Sequence, residues 1–155
     1  MKLLIFIPAR KGNKKSENKN LFKIRGISLL HRTLTFAKKF RKDGTVFISS
    51  NQNSIIKKFK KYTFGYVRPK KMTQTGTNVV ESILNSIEWF EKRNQKFDTV
   101  LFLPPTSPIR KYSDIKKIIT IFKKGRDESI MSAVHMREHP KLCIKLKNKK
   151  KWDYL

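Results

Sequence analysis

The sequence predicts a single three-layer α/β domain around a mostly parallel sheet, and three observations carry that expectation. Short apolar runs of strand length do not alternate with polar residues, as expected of strands covered on both faces. Segments with helical spacing lie between those runs, so the strands are joined by crossovers. Finally, 155 residues, 38% of them hydrophobic, suffice for one buried core and are too few for two ordinary domains.

The first strand is Leu3–Ile7. Its apolar stretch stops at Pro8-Ala9 and runs straight into Arg10-Lys11, which fits a buried strand and not a signal peptide. Leu29, Leu30, Leu34 and Ala37 predict a helix over 28–41, with Ser28 as its N-cap. Thr45–Ile48 is the second strand, ending in Ser49-Ser50-Asn51. A shorter helix over 53–61 runs through Ile55, Ile56 and Phe59, and Phe64–Val67 is a short strand candidate. Asn78 caps a helix over 78–92 whose Val79, Val80, Ile83, Leu84, Ile87 and Phe90 line one face. Thr99–Leu103 ends at Pro104-Pro105, and a helix over 113–124 starts at Ser113 and stops at Gly125. Ser129–Val134 is a weaker strand candidate. From Lys141 onward the pattern degrades, with no evident closing helix.

Lys and Arg number 37 against 11 Asp and Glu, a net charge of +26. Residues 1–80 hold 20 of the basic residues and only two acids, Glu17 and Asp43. Such a chain attracts polyanions without selectivity, so nucleic acid and phosphate-rich small molecules are both candidate ligands, and charge alone names neither. The single cysteine, Cys143, excludes an internal disulfide framework and a zinc site of several thiolates. His135 and His139 lie four apart without a third ligand, and His31 reads as a surface or partly buried helix residue. No apolar run approaches the roughly 20 residues that cross a bilayer. The expectation is a soluble, cytoplasmic protein with no membrane partner.

Ligands of open parallel sheets bind beyond the carboxyl ends of the strands, and two segments there carry chemistry. The loop from Pro8 to Asn20 holds five cationic side chains, three Asn amides and Gly12. These are donors for phosphate oxygens around a glycine that permits close backbone approach. The loop is not a Walker A motif, and a phosphate-binding loop and a solvated basic loop both fit it. Pro104-Pro105-Thr106-Ser107-Pro108-Ile109-Arg110 follows the third long strand. Three prolines stiffen it, Thr106 and Ser107 offer hydroxyls, and Arg110 offers a planar fork suited to a carboxylate. A rigid turn leading into a capped helix fits it equally well.

Together these segments resemble those of a known family. Ile-Pro-Ala-Arg-x-Gly-x-Lys at 7–14, Lys19-Asn20, Arg68-Pro69 and Pro105-Thr106-Ser107-Pro108-Ile109-Arg110 are similar to the motifs of acylneuraminate cytidylyltransferases. These are the CMP-sialic acid synthetases and their relatives for other nine-carbon keto-sugar acids. Gly26-Ile27-Ser28-Leu29-Leu30 and Glu138-His139-Pro140 fall where that family has comparable segments. The resemblance implies a Rossmann-like nucleotidyltransferase fold and transfer of CMP from CTP to a nonulosonic (sialic-type) acid, with release of pyrophosphate, as in cell-surface polysaccharide biosynthesis. It implies catalytic roles for Arg10 and Lys19. It implies nucleotide binding by Arg10, Gly12, Asn13, Lys14, Asn20, Arg68 and Thr77, and sugar binding by Thr106, Ser107 and Arg110. Mg²⁺ is implied as cofactor, without identifiable ligands in this chain, and a homodimer is compatible with it.

The chain also departs from the family pattern. Asn13 replaces a Ser, Lys15-Ser16-Glu17 replaces a Gly-hydrophobe-Pro, and Ser49-Ser50-Asn51 stands for a Ser-Thr-Asp run. Thr75 replaces an acid, and Pro104 stands where a Gln is expected at the sugar. The chain ends before the family's later acidic, metal-binding segment. Two other readings therefore accompany the enzyme: a non-catalytic remnant of that fold, and a basic domain that binds nucleic acid or other polyanions.

Overall fold

The structure is a computed structural model. It describes residues 1–10, 19–69, 78–125 and 129–133, together with the backbone of 144–148 and 151–154. The chain divides into two compact units, Met1–Lys117 and Ile118–Leu155.

A four-stranded parallel sheet organises the first unit. Its strands are β1 (Leu3–Pro8), β4 (Gly44–Ser50), β5 (Phe64–Val67) and β6 (Thr99–Phe102), in the order β5-β4-β1-β6. Strand β1 is central and pairs with β4 from Leu3↔Gly44 to Pro8↔Ser49, and with β6 from Leu3↔Thr99 to Phe6↔Phe102. Leu3 to Ile7 are all buried, which explains the unbroken apolar run. Successive side chains point to opposite faces. Leu4 and Phe6 therefore share a face, where they join Phe47 and Phe90 in one cluster with Tyr66, Ile83, Ile87 and Trp89 around it.

The connections follow from local sequence. Lys23–Ile24 (β2) and Ile27–Ser28 (β3) form a two-stranded antiparallel hairpin. Its turn residues, Arg25 and Gly26, both have positive φ, 49° and 75°, as a tight primed hairpin turn demands. Helix α1 (Leu29–Ala37) starts directly after it, and the Ser28 hydroxyl accepts from the His31 N–H as the N-cap. Leu30, Leu34 and Ala37 of α1 are fully buried. Helix α2 (Asn53–Phe59) buries Ile55 and Phe59. Helix α3 (Val79–Glu91) is capped by Asn78, whose side chain accepts from the Val80 N–H. Helix α4 (Tyr112–Lys123) is followed by Gly125 at φ +68°, a left-handed stop that glycine takes without strain. The second unit holds the end of α4 and an antiparallel hairpin of β7 (Ile144–Asn148) and β8 (Lys151–Tyr154).

Four expectations need correction. Helix α3 buries only part of the predicted stripe: Phe90 is buried and Ile83 and Ile87 pack against its cluster, but Val80 and Leu84 are 51% and 54% exposed, and Ser82 and Ser86 are buried in addition. Small side chains at i and i+4 bring the helix close to the sheet, and that approach turns the rest of the aliphatic stripe outward. Ser113 lies inside the first turn of α4 and does not cap it; its hydroxyl faces the Asp114 carboxylate at 3.4 Å. Ser129–Ala133 is not a strand: it pairs with none of the described residues and leaves Met131 89% exposed. Strand propensity alone gives no ladder. The segment after Lys141, read as patternless, contains the hairpin of β7 and β8.

Replacing Phe90 by Ala should cost about 3–5 kcal/mol, because the ring fills the centre of the aromatic cluster. Leu84→Ser should stay within about 0.5 kcal/mol. In urea denaturation Leu84→Ser distinguishes the observed helix face from the one that periodicity suggests, and Phe90→Ala measures the cluster that both share.

Candidate functional site

Strands β1, β4 and β5 end together, and their carboxyl ends are tied by backbone and hydroxyl bonds. The Ala9 N–H donates to the Ser49 carbonyl at 2.8 Å, and the Ser50 hydroxyl donates to the Ala9 carbonyl at 2.8 Å. The Arg68 N–H donates to the Ser50 carbonyl at 2.7 Å, so the residue after β5 is fixed to the end of β4. Arg10 and Arg68 are the first cations beyond β1 and β5.

Arg68 is only 7% exposed. Its Nη1 donates to the Ser82 hydroxyl and its Nη2 to the Ser49 carbonyl, both at 2.9 Å. Ser82 lies on α3, where the Ser86 hydroxyl in turn donates to the Ser82 carbonyl at 2.8 Å. Every one of these partners is neutral. Burial, and after it the charge of Arg10, push the Arg68 guanidinium down to about 10, well below the ordinary range of an arginine. Two guanidinium groups therefore repel each other at the sheet's carboxyl end. The Arg68 Nε and the Ser49 hydroxyl are also buried without a hydrogen-bond partner among the described residues. Leaving such a group unsatisfied costs about 1–3 kcal/mol.

Asn20 joins this end of the sheet from the far side of the first loop. The 3₁₀ turn Lys19–Leu21 presents its amide, and the Asn20 Nδ2 donates to the Arg10 carbonyl at 2.8 Å. Lys19 is exposed at the start of the same turn. Arg10, Lys19, Asn20 and Arg68 thus gather at one end of the sheet. Gly12, Asn13, Lys14 and Thr77 lie outside the described residues, as do Thr75 and Glu138-His139-Pro140.

The segment after β6 behaves differently. The Ser107 N–H donates to the Pro104 carbonyl at 3.1 Å, closing a turn that leaves Thr106 and Ser107 exposed. The Arg110 guanidinium folds back under this turn. Its Nη2 donates to the Pro104 carbonyl and its Nη1 to the Thr33 hydroxyl at 3.3 Å, and burial lowers its pKa. In this structure Arg110 braces the loop against α1.

Sequence reasoning missed Ser49, Ser82 and Ser86. The spacing Ser82, Ser86, Phe90 was a readable signal of a close-packed helix face, but nothing in it shows that a buried arginine needs the first serine as acceptor. Mg²⁺ finds no support in the described donors: among the described residues no three His, Cys, Asp or Glu side chains gather. No helix of the described residues is long and apolar enough to cross a membrane.

A parallel α/β sheet with cations and amides beyond its carboxyl ends is a Rossmann-like architecture. Residues 4–153 match the model of the cytidylyltransferase family, and the chain belongs to that family. It is 26% identical over 145 residues to a CMP-N,N'-diacetyllegionaminic acid synthase of Legionella pneumophila, covering 92% of this chain and 62% of the relative. It is 27% identical over 142 residues to a pseudaminic acid cytidylyltransferase of Campylobacter jejuni, covering 90% of this chain and 61% of the relative. A flagellin modification protein B of Campylobacter coli is 28% identical over 145 residues, with 89% of this chain and 60% of the relative covered. The chain thus spans about 60% of the length of these curated relatives. Among solved structures, a CMP:2-keto-3-deoxy-manno-octonic acid synthetase complexed with CTP shares the fold, with a TM-score of 0.65 at 14% identity over 80% of this chain and 48% of that one.

Ser82→Ala removes one of the two described acceptors of the Arg68 guanidinium and should cost about 1.5–3 kcal/mol, the usual range for hydrogen bonds to charged groups. Ser107→Ala, at an exposed turn, should stay within about 0.5 kcal/mol. Chemical denaturation of both variants tests whether Arg68 is held as described.

Proposed function

We propose that the chain is the nucleotide-binding part of a cytidylyltransferase that activates a nonulosonic acid with CTP, giving the CMP-sugar and pyrophosphate. The observation that carries this reading is the buried Arg68, held by neutral partners beside the charge of Arg10, with its Nε and the Ser49 hydroxyl unsatisfied. The names of the Legionella and Campylobacter relatives support the choice of CTP and of a nine-carbon sugar acid.

In this reading Arg68 and Thr77 hold the cytidine side of the nucleotide. Arg10, Gly12, Asn13, Lys14 and Asn20 hold the phosphates, with Lys19 beside them. The attacking group is the anomeric hydroxyl of the sugar acid, and the bond that breaks joins the α-phosphorus to the pyrophosphate oxygen. Negative charge grows on the α-phosphoryl oxygens and on the leaving group. Arg10 and Lys19 stabilise that charge without reorganising, because Asn20 already ties the 3₁₀ turn to the Arg10 carbonyl. Thr106 and Ser107 offer hydroxyls to the sugar, and Arg110 supports them through the Pro104 carbonyl. Mg²⁺ would enter with CTP as the counter-ion of its phosphates.

Incubation with CTP, Mg²⁺ and a panel of nonulosonic acids should release pyrophosphate. Arg10→Ala should weaken CTP binding roughly 10- to 100-fold in calorimetry, the loss of one or two charge-assisted bonds. A folded chain that binds no CTP overturns the proposal. Binding without turnover reduces it to a nucleotide-binding fold without catalysis.

A further inference from the structure

A cavity of about 630 Å³ lies at the opposite end of the sheet from Arg68, and the proposed reaction does not use it. Its walls come from the amino ends of β4 and β5, including Gly44, Thr45 and Gly65, and from Ile56 and Lys60 around α2. The volume falls within the roughly 300–1,000 Å³ of ordinary ligand sites. Two aromatic residues, Tyr62 and Phe64, also line it. Phe64 opens the edge strand β5 and is 68% exposed. No described ring or cation lies against it, so a flat apolar surface is left to water.

The surroundings are cationic. Arg41 lines the cavity and donates through Nη2 to the Tyr62 carbonyl. Lys38 and Lys61 stand with their ammonium groups 4.0 and 5.2 Å from the Tyr62 ring centroid. Lys60 is exposed in the wall itself. Residues 38–61 contain eight Lys and Arg and a single acid, Asp43, and that acid is held by Lys116 at 3.1 Å. An exposed ring in a cavity whose walls also carry Arg41, Lys60 and the hydroxyls of Thr45 and Thr63, with no lining carboxylate, matches one chemistry. The ring is a stacking platform, and the cations track a phosphate backbone. A single phosphate does not need so many cations, whereas a strand brings one phosphate per nucleotide.

We propose that this cavity binds single-stranded nucleic acid, with a base stacked on Phe64 and neighbouring phosphates on Lys60, Lys61 and Arg41. The site is independent of the nucleotide site at the carboxyl end of the sheet and does not rest on the proposed reaction.

The net charge of +26 makes some polyanion binding inevitable, so the test isolates the ring. Fluorescence anisotropy should compare a thymidine decamer with a decamer of the same phosphates that lacks bases. Stacking should make the thymidine strand bind roughly ten-fold tighter. Phe64→Ala should bring it down to the abasic strand's affinity, with the abasic strand unaffected, and Phe64→Trp should restore the preference. Lys60→Ala should weaken both strands alike and flatten the salt dependence of log K by about 0.7. Thermal melting of Phe64→Ala should match the unmodified chain, since the ring is exposed. Equal affinity for the two strands overturns the proposal, as does a preference that survives Phe64→Ala or one that is lost only together with abasic binding.

Discussion

The guanidinium of Arg68 is the group around which the carboxyl end of the sheet is arranged. It is buried, its described side-chain partners are neutral oxygens, and it sits within the field of a second arginine. A structural arginine in such a place would be expected to meet a carboxylate, which would cancel both the desolvation penalty and the repulsion. Here the chain provides the Ser82 hydroxyl and the Ser49 carbonyl instead. These orient the fork without neutralising it. The result is a positively charged fork fixed in place by neutral partners.

The rest of the first unit keeps that charge in place. Burial of β1 on both faces fixes Ala9 and Arg10 at its end, and the Ala9 N–H to Ser49 carbonyl bond aligns β4 with it. Phe6, Phe47 and Phe90 wedge α3 against the sheet, with the Phe47 and Phe90 ring centroids 4.7 Å apart. The serines at 82 and 86 let the helix come close enough for an Arg68 hydrogen bond. Packing and chemistry are thus linked through one helix face: a larger residue at 82 would push α3 away and remove an acceptor at the same time. On the other side, Asn20 closes the first loop onto the Arg10 carbonyl, so the loop leaves and returns at the same point.

Much of this was legible in the sequence. Unbroken apolar runs gave away β1, β4 and β6; β1 and most of β4 are buried as such runs suggest, whereas β6 lies at the sheet edge and is only partly buried. Ser28 and Asn78 act as the expected caps, since their side chains satisfy amide groups that the helices leave open. The motif Ile-Pro-Ala-Arg-x-Gly-x-Lys led to the family that the chain belongs to. The failures have physical causes as well. Val80 and Leu84 were assigned to the core because periodicity weighs apolarity, whereas helix-to-sheet distance here is set by small residues. The hairpin of β2 and β3 has only two residues in each strand, too short for any pattern, and its turn uses Arg25 in a left-handed conformation that arginine seldom adopts. The strand candidate at Ser129–Val134 was apolar enough, but its described residues pair with no described strand. Arg110 was read as a free fork, and only coordinates reveal that the Pro104 carbonyl and Thr33 already occupy it.

The central claim is that the unsatisfied edge of Arg68 is a ligand seat, and nitrogen-15 NMR of the arginine Nε–H groups tests it most directly. Titration with CTP should shift the Arg68 Nε–H resonance saturably, in step with binding measured by calorimetry on the same sample. An Arg68 resonance that stays fixed while CTP binds, or a chain to which CTP does not bind at all, would contradict the account.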